Sequence, residues 1–439
     1  MIEESRTVKS LSDFGRFLSS TIQESKAFMV LLYALEFIEN SYQSSRFKYI
    51  LNRILGVLYF GALWNIFDSV NDRLDESFIS KIKVFNPVLI VPLVYLAFIS
   101  LSTYRISNLG LLSIIAGLVF FILGVRFSGR ISFGKVYLDE HSQEIAILFL
   151  SLGSLYLALD LLRAGAVPLL NSEARRNLSV LYTYLASLLV PGGVLLIALV
   201  GTKLRNREIG LKEARVSALA ITFGVTFLIA LLGYRTQLVV SLLGCIVAMY
   251  FMDIIGISEI GLSFLGIVFG ISFLGYYRAT TQGATIGILD IIGSRVGLTL
   301  SVYDHLLGRF WLFGANRGST LLATFSSFLP YVPGPWMGPR SIVAGVFGVT
   351  NVSMTSTLLG TWVLDFGIPG ILVFMLALGF VIGMAYHAMR ETGSALATAI
   401  YSLLIAYTIV GIETGLADFN VAVFFIGSFL ILYNSRMEL

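Results

Sequence analysis

An all-α, polytopic integral membrane protein with about 10–12 transmembrane helices is the fold this sequence predicts, and three observations predict it. Of the 439 residues, 56% are hydrophobic and 13% charged, with a mean hydropathy of +0.86; a soluble domain carries about a quarter charged residues. Apolar runs near the roughly 20 residues that cross lipid recur from Val84 onward. Basic residues gather in a linker between such runs, GTKLRNREIGLKEAR at 201–215, as cytoplasmic loops require.

The elements follow in order. The chain opens MIEESRTVKSLSDFGRF, polar and acidic, so no cleaved signal peptide is expected. Phe14, Phe17, Leu18, Ile22 and the run from Ala27 to Ile38 recur at helical spacing among Arg16, Glu24 and Lys26. That pattern suits an amphipathic helix lying in the membrane interface. Ile54 to Phe67, about 14 residues, is short for a span, so residues 1–83 are expected to be cytoplasmic or interfacial. Residues 84–277 hold spans near 84–104, 107–125, 144–162, 179–201, 214–233, 236–252 and 260–277. The stretch 278–365 is mixed in character and is expected to be a large extracytoplasmic region, structured or cavity-lining, because lipid cannot satisfy irregular backbone. Residues 366–439 close the chain with spans near 366–387, 394–412 and 418–434.

Lys203, Arg205, Arg207, Lys212 and Arg215 place the 201–215 linker in the cytoplasm. Propagated along the spans, this puts both termini inside and the loops near 105, 163–178, 234–236, 278–365 and 413–417 outside. The formal charge of +4 is too small to argue for nucleic acid. A single cysteine, Cys245, excludes a disulfide within the chain and any Cys/His metal motif. The 42 glycines carry no phosphate-loop signature and suit close helix packing. No cofactor is expected.

With this topology all eight lysines fall inside, and the outer side carries only arginines: Arg105, Arg163, Arg175, Arg176, Arg235, Arg278, Arg295, Arg309, Arg317 and Arg340. Arginine presents a planar, always charged fork that binds phosphate bidentately, whereas lysine is a hydrated point charge. At span ends such forks lie at head-group depth, where a lipid-linked phosphate or diphosphate would meet them. Arg175, Arg176, Arg235, Arg278, Arg295 and Arg340 are the candidates for that contact. The alternative is that these arginines snorkel and anchor, or pair with Asp160, Glu173, Asp290, Asp304 and Asp365. Four of the nine prolines lie in 330–339, a stiff segment before Arg340 that suits a lid, a rim or a plain connector.

Three segments resemble oligosaccharide repeat unit polymerases of the Wzy type: LRAGAVPLLNSEARR at 162–176, GYRTQ at 233–237, and TSTLLGTWVLDFGIPG at 355–370. The large late outer region before the last three spans is similar to that family's layout. The resemblance implies an inverting glycosyltransferase of the GT-C type, in the branch shared with O-antigen ligases. In that family a growing glycan leaves a polyprenyl-type diphosphate and joins a second lipid-linked repeat unit outside the membrane, with membrane lipids around it and a flippase or chain-length regulator as candidate partners. Some bacterial members carry two outer copies of Arg, ten residues, then Gly. None of the ten outer arginines here has Gly at that distance, which points to a divergent, archaeal-like member.

The chemistry also needs a group to take the acceptor proton. His305, in SVYDHL at 301–306, is the outer histidine, since His141 and His387 map to the cytoplasmic side. O-antigen ligases place a functional histidine in the same large loop, and imidazole works near neutral pH. Asp304 and Asp160 are the carboxylate candidates. Glu413 and Asp418 make the last outer loop acidic and suit sugar hydroxyls or plain solvation; Tyr276, Tyr277, Tyr303, Trp311, Tyr331 and Trp336 supply aromatic faces for sugars or for the interface. Two other readings stand beside the polymerase: a ligase that moves finished polymer to another acceptor, and a secondary transporter of an anion, for which no internal repeat is found.

Overall fold

The computed structural model describes residues 67, 68, 71, 84–136, 138–171, 174–267, 270, 288–326, 338–350 and 352–436. The expected interfacial helix before residue 67 lies outside them, as do Arg278, Tyr276, Tyr277 and most of the proline-rich stretch. In chain order the helices are α1 (Pro87–Ser100), α2 (Asn108–Ser128), α3 (Ser142–Ala164), α4 (Val180–Ala186), α5 (Leu189–Arg205), α6 (Leu211–Leu231), α7 (Arg235–Phe251) and α8 (Ile257–Ile267). They continue with α9 (Ile288–Phe310), α10 (Ser319–Ser326), α11 (Pro339–Val346), α12 (Gly360–Thr392), α13 (Ala395–Thr414) and α14 (Phe419–Asn434).

Each expected span coincides with a helix except 260–277, half of which lies outside the described residues, and the differences follow from local chemistry. The run 179–201 is two helices, because Ser187 and Leu188 form a turn between α4 and α5. α1 is shorter than expected: Asn86 Oδ1 accepts from the Val88 amide at 3.0 Å and fixes its start. Among the described residues six helical segments are long and apolar enough to cross a membrane, and α1, α7, α8 and α14 are shorter apolar helices.

Glycines set the closest packing. A Cβ on Gly124 would fall on the Leu376 carbonyl, one on Gly379 on the Phe121 carbonyl, and one on Gly383 on Ser128. α2 and α12 therefore run in parallel with their backbones in contact, the small-residue solution to packing in lipid. The opposite face of α2 exposes Leu112, Ile115, Val119 and Leu123, a stripe fit for acyl chains. α13 is the central helix, with 89% of its apolar window buried.

α12 is broken. Gly367 has φ 68° and ψ −154°, a conformation that a side chain would forbid. The 311–317 turn crosses the break: Ile368 N donates to Trp311 O at 2.8 Å and Ala315 N donates to Leu364 O at 2.7 Å. The backbone groups freed by the break are thus satisfied by protein, as apolar surroundings require.

The loops sort to two ends. At one end Phe133 N donates to Glu391 (2.8 Å), Ser394 Oγ to Asp139 (2.6 Å) and Arg205 pairs with Asp253 (3.2 Å). At the other end Leu169 N donates to Leu231 O (3.3 Å) and Thr103 N to Gly293 O (3.4 Å). Among the described residues the first end holds Lys135, Lys203 and Lys212 together with arginines such as Arg130, Arg205 and Arg207, whereas the basic residues in the loops of the second end are all arginines.

Candidate functional site

Arg175 lies in a 3-10 turn, Ala174–Asn177, that follows α3. Its guanidinium stacks over the Tyr234 ring at 5.2 Å, and its Nη1 donates to Gly233 O at 3.4 Å. The turn that connects α6 to α7 is tight because Gly233 takes φ 72°, so Tyr234 and the adjacent Arg235 are presented at the start of α7. Arg235 buries its Nε there. Burial pushes the Tyr234 phenol above its ordinary range; Arg175 acts against this and Asp160 acts with it, so the hydroxyl stays protonated at neutral pH. The Tyr184 ring of α4 lies 5.4 Å from that of Phe419, the residue after Asp418, which pairs with Arg340. Segments distant in sequence are thereby joined in two places: the turn after α3 with the α6–α7 turn, and the start of α11 with the loop that leads into α14, beside α4.

The carboxylates divide into two groups. Asp160 is fully buried and accepts from Ser179 N (2.7 Å) and Thr183 Oγ1 (2.6 Å), which caps α4 from a neighbouring helix. Asp304 accepts from Ser107 N (3.0 Å), Ser107 Oγ (2.5 Å) and Tyr104 Oη (2.9 Å), at the head of α2. Asp365 accepts from Thr320 N (3.1 Å) and Leu321 N (2.9 Å), at the head of α10. All three satisfy helix N-termini, where a carboxylate also meets the positive end of the helix dipole. Glu413 and Asp418 instead pair with arginines: Arg295 with Glu413, and Arg340 with Asp418. The sequence suggested other acidic partners for the arginines, because no local signal connects residue 340 to residue 418.

His305 is exposed on α9, its ring 4.9 Å from that of Phe347. Beside it opens a shallow cleft of about 550 Å³, lined among others by Tyr104, Asp304, Arg309 and Phe347. Arg340 begins α11 and Phe347 follows its last turn, so about 10 Å of helix separates the arginine cluster from this cleft. Arg176 shares the turn of Arg175. Arg278 lies outside the described residues. The contribution of Tyr184 was not legible in the sequence, since a tyrosine in an apolar run carries no sign of what it will face.

Residues 83–425 match the family model described as "Putative O-antigen polymerase". An uncharacterized protein of the archaeon Methanocaldococcus jannaschii is 28% identical over 361 residues, which cover 80% of this chain and 95% of that protein. No solved structure matches the chain. With the family model spanning most of its length and apolar helices throughout, the chain is a multi-pass membrane protein that belongs to the O-antigen polymerase family of polysaccharide biosynthesis.

Proposed function

We propose that the protein is an inverting glycosyltransferase of the GT-C type that polymerises lipid-diphosphate-linked oligosaccharide repeat units. On this reading it sits in the plasma membrane with the arginine end outside and both termini in the cytoplasm, since Lys135, Lys203 and Lys212 mark the opposite end. The observation that carries the reading is that two arginines from segments 165 residues apart, Arg175 stacked on Tyr234 and Arg340 paired with Asp418 beside Phe419 and Tyr184, lie in the loops of one end of the bundle.

In the reaction the acceptor hydroxyl attacks the anomeric carbon of the donor glycan, the bond from that carbon to the diphosphate oxygen breaks, and the lipid diphosphate leaves with the electron pair. Negative charge grows on the leaving oxygen, where guanidinium forks act most strongly because they are fixed in advance. Arg175, Arg235 and Arg340 take this role, with Arg176, Arg278 and Arg295 as the further candidates from the sequence. His305 takes the acceptor proton from its open cleft, since the oxygens of Asp160 and Asp304 already accept the cap hydrogen bonds.

The test supplies purified protein with a synthetic lipid-diphosphate oligosaccharide and resolves the products by mass. A ladder spaced by whole repeat units is expected, reduced about 10²–10³-fold in Arg235→Ala, the range found when one fixed donor to a developing oxyanion is removed. Transfer of one finished chain to a different acceptor would indicate a ligase. Uptake of an anion into proteoliposomes without any glycan product would overturn the enzyme reading.

A further inference from the structure

Asp418 occupies the N-cap position of α14, where an aspartate side chain ordinarily accepts hydrogen bonds from the first-turn amides. It makes no such bond. Its carboxylate is turned instead to Arg340, and the pair is partly open, with side chains 27% (Arg340) and 35% (Asp418) exposed. The group thus has two places to go, one taken and one vacant, and both lie within reach of its own side chain.

From this arrangement we infer that Asp418 is a resident counter-anion of Arg340 that sets the charge a ligand must bring. The inference rests on the anion-binding reading of the arginine cluster and adds selectivity to it. A phosphate that takes Arg340 must displace a carboxylate already bound to it. A phosphodiester head group carries one charge, so it exchanges one anion–guanidinium contact for a similar one and leaves a second negative charge close by. That exchange gains little. A diphosphate carries two or more charges and, on the same reading of the arginines, can engage Arg340 together with a second guanidinium group such as that of Arg175 on Tyr234. With either ligand the displaced Asp418 can turn to the α14 amides, where the helix dipole favours it, so the second guanidinium contact is what separates the two. Abundant membrane phospholipids are excluded by the same residue that admits the diphosphate, which is specificity obtained by a cost imposed on the wrong ligand.

Glu413 provides the internal control. It pairs with Arg295, whose side chain is 53% exposed, and it lies at the end of α13 rather than at a helix start, so it has no vacant cap to turn to.

The experiment measures binding of farnesyl diphosphate and of dihexanoyl phosphatidylglycerol to the full-length protein in phosphatidylcholine nanodiscs. Wild type is expected to prefer the diphosphate by about 30-fold or more, and Asp418→Asn, which keeps a capping side chain but removes the charge, to bind the phosphodiester about 10-fold tighter. Glu413→Gln is expected to change the ratio by less than about 3-fold. A wild-type preference below about 3-fold overturns the inference without any variant. So does an Asp418→Asn protein with an unchanged ratio, or one that weakens both ligands alike. If Asp418→Asn does not fold, Asp418→Ser keeps a capping hydroxyl without the charge and must show the same narrowing. Wild-type protein that binds neither probe would overturn the diphosphate reading of the cluster itself, whereas diphosphate binding with no discrimination removes only the role given to Asp418.

Discussion

Arg215 and Arg340 are both ion-paired, and they illustrate opposite uses of the same side chain. Arg215, in α6, is 5% exposed and bonds Asp68 at 2.7 and 3.2 Å and the Ile254 carbonyl at 3.0 Å, with Glu259 at 3.5 Å. Glu259 is itself held by Asn71 (2.8 Å) and by the Gly256 amide (3.0 Å). Arg215 and Glu259 each have several partners, so an outside ion that displaced either would strand others. Arg340 has a single carboxylate partner among the ion pairs of the described residues, and both members of that pair are partly open to solvent. Redundant, buried pairing makes a structural anchor; single, half-open pairing makes a cation that a ligand can claim.

Three measurements would break or sharpen this contrast. The largest effect is expected at Arg215→Ala, which leaves Glu259 buried without its cation; breaking a buried pair costs about 3–5 kcal/mol, and the loss should appear as a lowered unfolding midpoint in a denaturant titration. Lipid phosphate binding by the fraction that stays folded should be unchanged. Next comes Arg340→Lys. It keeps the charge but loses the fork, so glycan transfer should fall by about 10–100-fold while the melting temperature holds. Full activity in Arg340→Lys would show that bidentate geometry is irrelevant, and a drop in stability as large as that of Arg215→Ala would erase the distinction between the two arginines. The smallest effect is expected at Glu140→Gln. Glu140 is exposed and pairs with Lys135, which lowers its pKa. It lies at the same end of the bundle as Lys203, so an unchanged melting temperature there would show that burial, and not which end of the bundle holds the pair, decides what a pair is worth.

The carboxylates repeat the lesson. Asp160, Asp304 and Asp365 have short hydrogen bonds to the heads of α4, α2 and α10, and each ties a helix start to a different helix. From the sequence they were candidates for chemistry or for pairing with arginine, because an aspartate near a span end reads the same in every case. What separates them from Asp418 is that each already accepts hydrogen bonds at a helix start, whereas the Asp418 carboxylate is turned from its own helix to Arg340, and that is a fact of tertiary packing.

Much of the fold was written in the chain. Apolar run length fixed the helices from α1 to α7 and from α12 to α14, since a chain in lipid must satisfy its backbone within each segment. Residues 162–176, 233–237 and 355–370 carried the family likeness that the family model supports. The arginine excess in one set of loops was also visible, since it needs only the alternation of spans and charges.

Other features were decided in three dimensions. The break at Gly367 is stable only because the 311–317 turn supplies its hydrogen bonds, and no sequence window contains both segments. The same holds for the approach of α2 to α12 through Gly124 and Gly379, and for the pairing of Arg340 with Asp418. Hydropathy is a property of each segment and survives in isolation. Which polar groups meet at the ends of the bundle depends on how the helices pack, and that is settled by contacts between residues up to hundreds of positions apart.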